Sequence, residues 1–448
     1  MELKDLFLTP IYLGLFYLIA YALRRKFTNM YTKPYFIPAL TVKFIGAIAL
    51  GLIYKFYYGN GDTFNYYDQT KIIYGAFTNS PLLGLKLIFG STDFDPNLIT
   101  YASRIHWYDS PTEYSIIRIA AFFGLFCFNT YTVIGLFFAI LSFSGMWAMY
   151  TTFVRIFPLA YKKLAIAVFF LPSVFFWGSG LMKDSICIGA LGWVFYGFYY
   201  ATIAKRSMLF ATVIGLIGAY TLISVKVYIL LSFLPPALLW VFNENNQRIK
   251  SSAVRLLLKP LFLIFGIAAA YISATGLTAG DAKYDVNKIG ERTKINSEFL
   301  TNQVANGSAY NIGSFDGSLG SMVKVAPQAV VVSIFRPFLF EARNPVMVLS
   351  ALEATLFLYL TITLFFRTGL LKSLQLIISQ PILTFCFLFS IILAVGVGTN
   401  SGNFGTLVRY KIPLMPFYLA GLYIMQLQTQ AARKPAQRAH QPRRLAPA

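Results

Sequence analysis

Apolar runs of the length a membrane crossing requires, about 20 residues, recur along the whole chain. They lie near 7–23, 39–57, 129–153, 164–178, 184–204, 208–224, 227–243, 257–277, 346–366, 380–398 and 408–427. This pattern predicts an all-α polytopic membrane protein with about eleven transmembrane helices, and a further half-buried helix near 114–127. The first run, Leu8 to Leu23, is followed by Arg24-Arg25-Lys26 with no small-residue cleavage site. It reads as a retained helix rather than a signal peptide.

Two polar stretches interrupt the pattern, about 58–128 and 278–345. Placing the N-terminus outside makes both extracytoplasmic. The segments 24–38, 154–163, 205–207, 244–256, 367–379 and the end from 428 then become cytoplasmic. On that assignment, with Lys259 at a helix end, the inner side holds 20 of the 38 Lys and Arg residues and a single acid, Glu244, the usual cytoplasmic bias. Residues 1–427 read as one transmembrane unit and 428–448 as a basic, disordered cytoplasmic tail resting near anionic lipid. In the first outer stretch Ile116, Ile117, Ala120 and Ala121 beside Arg118 suggest an interfacial helix with its apolar side toward the lipid.

Composition supports the pattern. Of 448 residues 57% are hydrophobic and 12% charged, against about 25% charged in soluble domains. The net charge of +21 follows from the cytoplasmic bias and requires no nucleic-acid partner. Cys127, Cys187 and Cys386 sit in or beside apolar runs at no metal-like spacing. With only His106 and His440, histidine-based triads and zinc chemistry are disfavoured. There is no internal repeat of the kind that marks many transporters.

Charged residues held near membrane depth mark sites, and four groups converge on the outer side. The first is Asp62 with Tyr66, Tyr67 and Asp68, following Gly59 and Gly61. The second is Pro172–Asp184 (PSVFFWGSGLMKD), where one helix breaks and the next starts with Lys183-Asp184 beyond Trp177. There Asp184 or Ser185 would equally serve as a helix cap. The third is Arg336 with Glu341, Arg343 and Asn344, and the fourth is Asn403–Pro416 with Arg409 and Lys411. Arg and Lys hold a phosphate through charge-assisted hydrogen bonds, a carboxylate accepts a proton from an attacking hydroxyl, and aromatic faces suit sugars and isoprenoid tails. Cations at such positions also commonly snorkel to lipid headgroups.

The glycine-aspartate after an early span, PSVFFWGSGLMKD and the terminal NFGTLVRYKIPLMPF resemble the GT-C glycosyltransferase superfamily and, more loosely, oligosaccharide polymerases and ligases. APQAVVVSIFRPFLFEARN with the acid-containing span after it is similar to bacterial membrane proteins of that kind. The resemblance implies a GT-C-like fold in the bacterial inner membrane and a polyprenyl-phosphate-linked sugar donor. It implies transfer to a glycan, lipid or protein acceptor on the extracytoplasmic face. Carried over residue by residue, Asp62 matches the early-loop base, with Asp184 as the competing acid. Arg409 matches the basic residue at the lipid phosphate, with Lys411, Arg336 and Lys183 as further phosphate contacts. Tyr66, Tyr67, Asp68, Trp177, Arg118, Glu341 and Asn403 are the candidate substrate contacts. Whether a divalent cation takes part stays open. Two features depart from the superfamily: an extra span precedes the first outer loop, and no second acid is paired directly with the first, as it is in protein mannosyltransferases. The alternatives are an oligosaccharide polymerase or ligase, and a transporter or flippase in which the same charges bind without chemistry.

Overall fold

The computed structural model describes residues 2–246, 289–302, 309–313, 316 and 318–439, and among them it is helical with one isolated bridge between Ala309 and Asn403. Seven of these helices are long and apolar enough to cross a membrane. In this article's numbering they are α1 (Leu3–Phe27), α2 (Lys33–Phe56), α7 (Tyr131–Ile156), α10 (Lys183–Phe198, prolonged by one wider turn to Ile203), α11 (Met208–Asn246), α14 (Pro345–Thr368) and α16 (Pro381–Ser401). The all-α membrane architecture is therefore present. The expected span at 257–277 lies outside the described residues.

Several expected spans are broken. That at 164–178 is two helices, α8 (Tyr161–Phe169) and α9 (Pro172–Trp177). Pro172 has no N–H to continue the ladder, and a break inside lipid leaves backbone groups that only protein can satisfy. Both ends of α9 are satisfied by charged side chains from neighbouring helices. At its start Glu353 of α14 accepts from the Ser173 hydroxyl and, at 3.4 Å, from the Ser173 N–H. At its end the fully buried Lys43 of α2 donates to the Gly178 carbonyl at 2.7 Å and to Ser142 Oγ of α7 at 3.0 Å. The last expected span is likewise a short α17 (Phe404–Tyr410), a turn, and α18 (Met415–Ala439). Because α18 runs on to Ala439, the basic end begins as helix and is not irregular from 428.

The long α11 is a hairpin. Lys226 leaves helical geometry at φ −147° and ψ 74°, and the limbs on either side meet the same stretch of α10. Gly215 lies against Gly197, while Phe233 and Trp240 meet the Phe198 ring edge-on at 5.7 Å each. The chain thus reverses at Lys226, as the separate apolar runs 208–224 and 227–243 require.

The stretch 58–128 is mostly helix: α3 (Asp62–Asn79), α4 (Pro81–Phe89), α5 (Ile99–Ala102) and α6 (Pro111–Phe126). Ile116, Ile117, Ala120 and Ala121 are buried against the protein core and do not face lipid, correcting the interfacial reading. In the second polar stretch, 278–345, stand α12 (Ile289–Asn302) and α13 (Leu319–Phe335). Ser333 of α13 donates to the Ala394 carbonyl at 2.7 Å, laying this helix along α16. The amphipathic α15 (Leu370–Ser379) joins α14 to α16.

Contacts gather the basic segments at one end of the bundle. Arg24 donates to Lys33 O, Tyr31 packs on Tyr161, Arg155 lies over Tyr200, and Lys163 donates to Gln426. Asp62, Lys183, Lys226 and Arg409 gather elsewhere, around one shared cavity.

Glycines set the closest approach. A Cβ at Gly145 of α7 would lie 1.8 Å from the Gly189 carbonyl oxygen of α10. Small residues are what allow membrane helices to pack this closely. Gly145→Val is expected to destabilise the fold by about 1–3 kcal/mol or more, read as a lower melting temperature of the detergent-purified protein; an unchanged melt would mean α7 and α10 do not meet as described. Sidedness has its own check in a variant with its three cysteines replaced by Ala. A cysteine at exposed Asp93 should react with an impermeant maleimide in intact cells, and one at Leu159 only after permeabilisation. The opposite result reverses the topology.

Candidate functional site

Gly61 starts the site. Its φ is +147°, and a Cβ there would lie 2.5 Å from the Tyr54 ring, so only glycine fits. The turn makes Asp62 the first residue of α3, where the helix dipole favours a carboxylate. Asp184 occupies the first turn of α10 for the same reason. No side chain caps that helix start; the Ser185 hydroxyl donates to Gly180 O at 2.7 Å. Asp184 has another use.

Lys226, at the reversal of α11, places its ammonium 2.6 Å from Asp184 Oδ1 and 4.3 Å from the centre of the Tyr410 ring. Arg409, in the last turn of α17, puts Nη2 3.4 Å from Asp184 Oδ2 and 2.9 Å from Asp62 Oδ2. The two carboxylates share one guanidinium. They differ in exposure: Asp184 is 2% exposed, Arg409 20% and Asp62 48%. Asp184 is the inner anchor and Asp62 the outer partner. Trp177 lies beneath, its ring 5.6 Å from the guanidinium carbon, with Tyr54 meeting it edge-on.

These groups face a cavity of about 910 Å³, within the usual size of ligand pockets. Its lining mixes charged groups, among them Asp62, Glu113, Lys183, Lys226, Glu291 and Arg409, with the apolar Val225, Ile295, Phe299, Met322 and Val397. Lys183 pairs with Glu113 from the start of α6. Burial pushes the Glu113 carboxyl up, but Lys183, Ser110 and Thr112 together hold it well below the usual range. Tyr66, one helical turn after Asp62, also lines the cavity. Burial, and then the Asp62 and Glu113 charges, keep its phenol protonated far above neutral pH.

Of the residues expected from sequence, Asp62, Tyr66, Lys183 and Arg409 line the cavity, with Asp184 and Trp177 packed behind Arg409. The rest are placed elsewhere. Lys411, 1% exposed, donates to the Arg336 carbonyl at 3.1 Å. Arg336 is paired with Glu341 through Nε at 3.0 Å. Tyr67 donates to Asn129 O at 2.8 Å on another face of α3, and the exposed Asp68 pairs with Lys71 at 3.1 Å. Arg118 donates to Gly90 O and stacks on Tyr114. The Asn403 side chain accepts from Thr406 N at 2.9 Å and caps α17. Lys226, Trp107, Glu113 and Glu291 are among the cavity residues that the sequence reading did not single out. A lone lysine between two apolar runs was the signal for the first.

The donor set does not suit a metal. Among the described residues no group of three or more His, Cys, Asp or Glu side chains is placed to hold an ion, and the two acids share a guanidinium instead. The chain matches no known family model, no curated protein and no solved structure.

Lys226 and Asp184 form a buried pair whose worth can be measured. Lys226→Met leaves a buried carboxylate with one cation fewer and should destabilise by about 3–5 kcal/mol. Removing both charges, Lys226→Met with Asp184→Leu, should recover most of that loss. Chemical unfolding of the three variants gives the coupling, and a coupling near zero would mean the two residues do not pair.

Proposed function

We propose that this protein transfers a sugar from a polyprenyl-phosphate-linked donor to an acceptor hydroxyl on the extracytoplasmic face of the bacterial inner membrane. The observation that carries the reading is Arg409 shared between a buried and an exposed carboxylate, at a cavity lined by both charged and apolar side chains. Such a cavity suits an amphipathic ligand: the isoprenoid tail rests on Val225, Ile295 and Phe299, and the phosphate meets Arg409 and Lys226.

In this mechanism the donor phosphate displaces Asp62 from Arg409, while Asp184, itself paired with Lys226, holds the guanidinium in place. The freed Asp62 carboxylate takes the proton of the acceptor hydroxyl. The acceptor oxygen forms a bond to the anomeric carbon as that carbon's bond to the phosphate oxygen breaks. Polyprenyl phosphate leaves with the electron pair, its charge held by Arg409 and Lys226. Asp184 acts as a positioning residue, because both its oxygens already face cations. No metal ion is needed for these steps.

A transporter reading has one observation in its favour: helices break at Lys226 and before Lys183, both at the cavity, as they do around transporter sites. The experiment separates the two. In nanodiscs with a lipid-linked sugar donor, Asp62→Asn should lower turnover by about 10²–10⁴-fold while donor affinity stays at or above that of wild type, since no carboxylate then competes for Arg409. Arg409→Ala should weaken donor binding by roughly 10- to 150-fold, since a charge-assisted contact is worth about 1.5–3 kcal/mol. Full transfer by Asp62→Asn would sink the base assignment. Donor movement across liposomes without any transfer product would favour the transporter.

A further inference from the structure

One part of the cavity has no role in the steps above. Tyr66 and Trp107 meet at 5.4 Å between ring centres and 48° between planes, and both line the cavity. Trp107 also meets the His106 ring edge-on, with ring centres 5.4 Å apart. The loop that carries these residues is tied to α3 by the His106 N–H, which donates to the Gln69 side chain at 2.9 Å. Tyr66 is 5% exposed while Trp107 is partly exposed, so Trp107 is the ring offered to the cavity and Tyr66 its support, one helical turn from Asp62. Beside it stands the Glu113–Lys183 pair, a balanced set of acceptors and donors.

An angled aromatic wall next to a paired acid and base recognises a molecule with an apolar face and a hydroxyl-bearing edge. A sugar ring has this form: its C–H face lies on the aromatic surface and its hydroxyls reach the polar groups. The phosphate position, at Arg409 and Lys226, lies across Asp62 from this wall. We infer that Tyr66 and Trp107 form a carbohydrate subsite that holds the terminal sugar of a glycan acceptor and presents one of its hydroxyls to Asp62. This rests on the transferase reading for the role of the sugar, though not for its binding.

The test uses the full chain in nanodiscs on an array of neutral oligosaccharides that carry no polyprenyl group. Wild type and Asp62→Asn should both bind neutral glycans. Trp107→Ala should weaken that binding about tenfold or more, with Trp107→Phe in between and an unchanged melting temperature for both. In transfer assays Trp107→Ala should raise the acceptor KM and leave donor affinity as it was. If no neutral glycan binds wild type, or if Trp107→Ala binds as wild type does, the subsite is wrong; loss of transfer in Asp62→Asn would then leave the transferase reading standing. Neutral glycan binding that depends on Trp107, with no transfer by wild type from lipid-linked donors, supports the subsite and overturns the transferase.

Discussion

A carboxylate 2% exposed at the start of an apolar helix is the constraint around which this bundle is arranged. Burying such a charge costs several kcal/mol unless partners satisfy it. Asp184 finds two, and they come from far along the chain. Lys226 reaches it only because α11 reverses there, and Arg409 only because α17 ends there. Three helix termini are thereby fixed to one point. Arg409 is left facing the cavity, where Asp62 takes its remaining charge. The geometry offered to a ligand follows from how one buried acid is neutralised.

Much of the architecture was legible in hydropathy, because a crossing helix must be long and apolar. The helices of 58–128 were harder to read, since α3 and α4 are short or mixed and bury one face against neighbours whose positions no local pattern gives. The breaks at Pro172 and beyond Tyr410 were visible as prolines and charges, but which groups would satisfy them was not. The same limit governed the site. Asp62 and Tyr66 share a face because they are four residues apart, while Tyr67 is turned about 100° from Tyr66 and bonds to Asn129. Arg409 ends α17 and faces the cavity; Lys411, two residues on and past the helix end, points to the Arg336 carbonyl. Spacing named the neighbourhood, and helix rotation chose the residues.

A second polar cluster shows the difference between a satisfied charge and an available one. Arg336 with Glu341, Lys411 on the Arg336 carbonyl, and Glu353 on Ser173 are all charge-bearing groups near membrane depth. Each bonds within the protein and none lines the large cavity. Their chemistry goes into closing helix breaks. The cluster at Arg409 has the same ingredients but opens onto space, with a half-exposed acid at its edge.

Lys43 carries a consequence for how function would map onto this sequence. Its ammonium holds the end of α9 through Gly178 O, and α9 carries Trp177, the ring beneath Arg409. A random mutagenesis screen for activity would therefore score position 43 as intolerant, alongside residues that meet the ligand. Lys43 lies in a different helix and does not line the cavity. A map of essential positions would thus outline a region larger than the site, extending toward the α2–α7 interface along the hydrogen bonds that keep the broken helix in place.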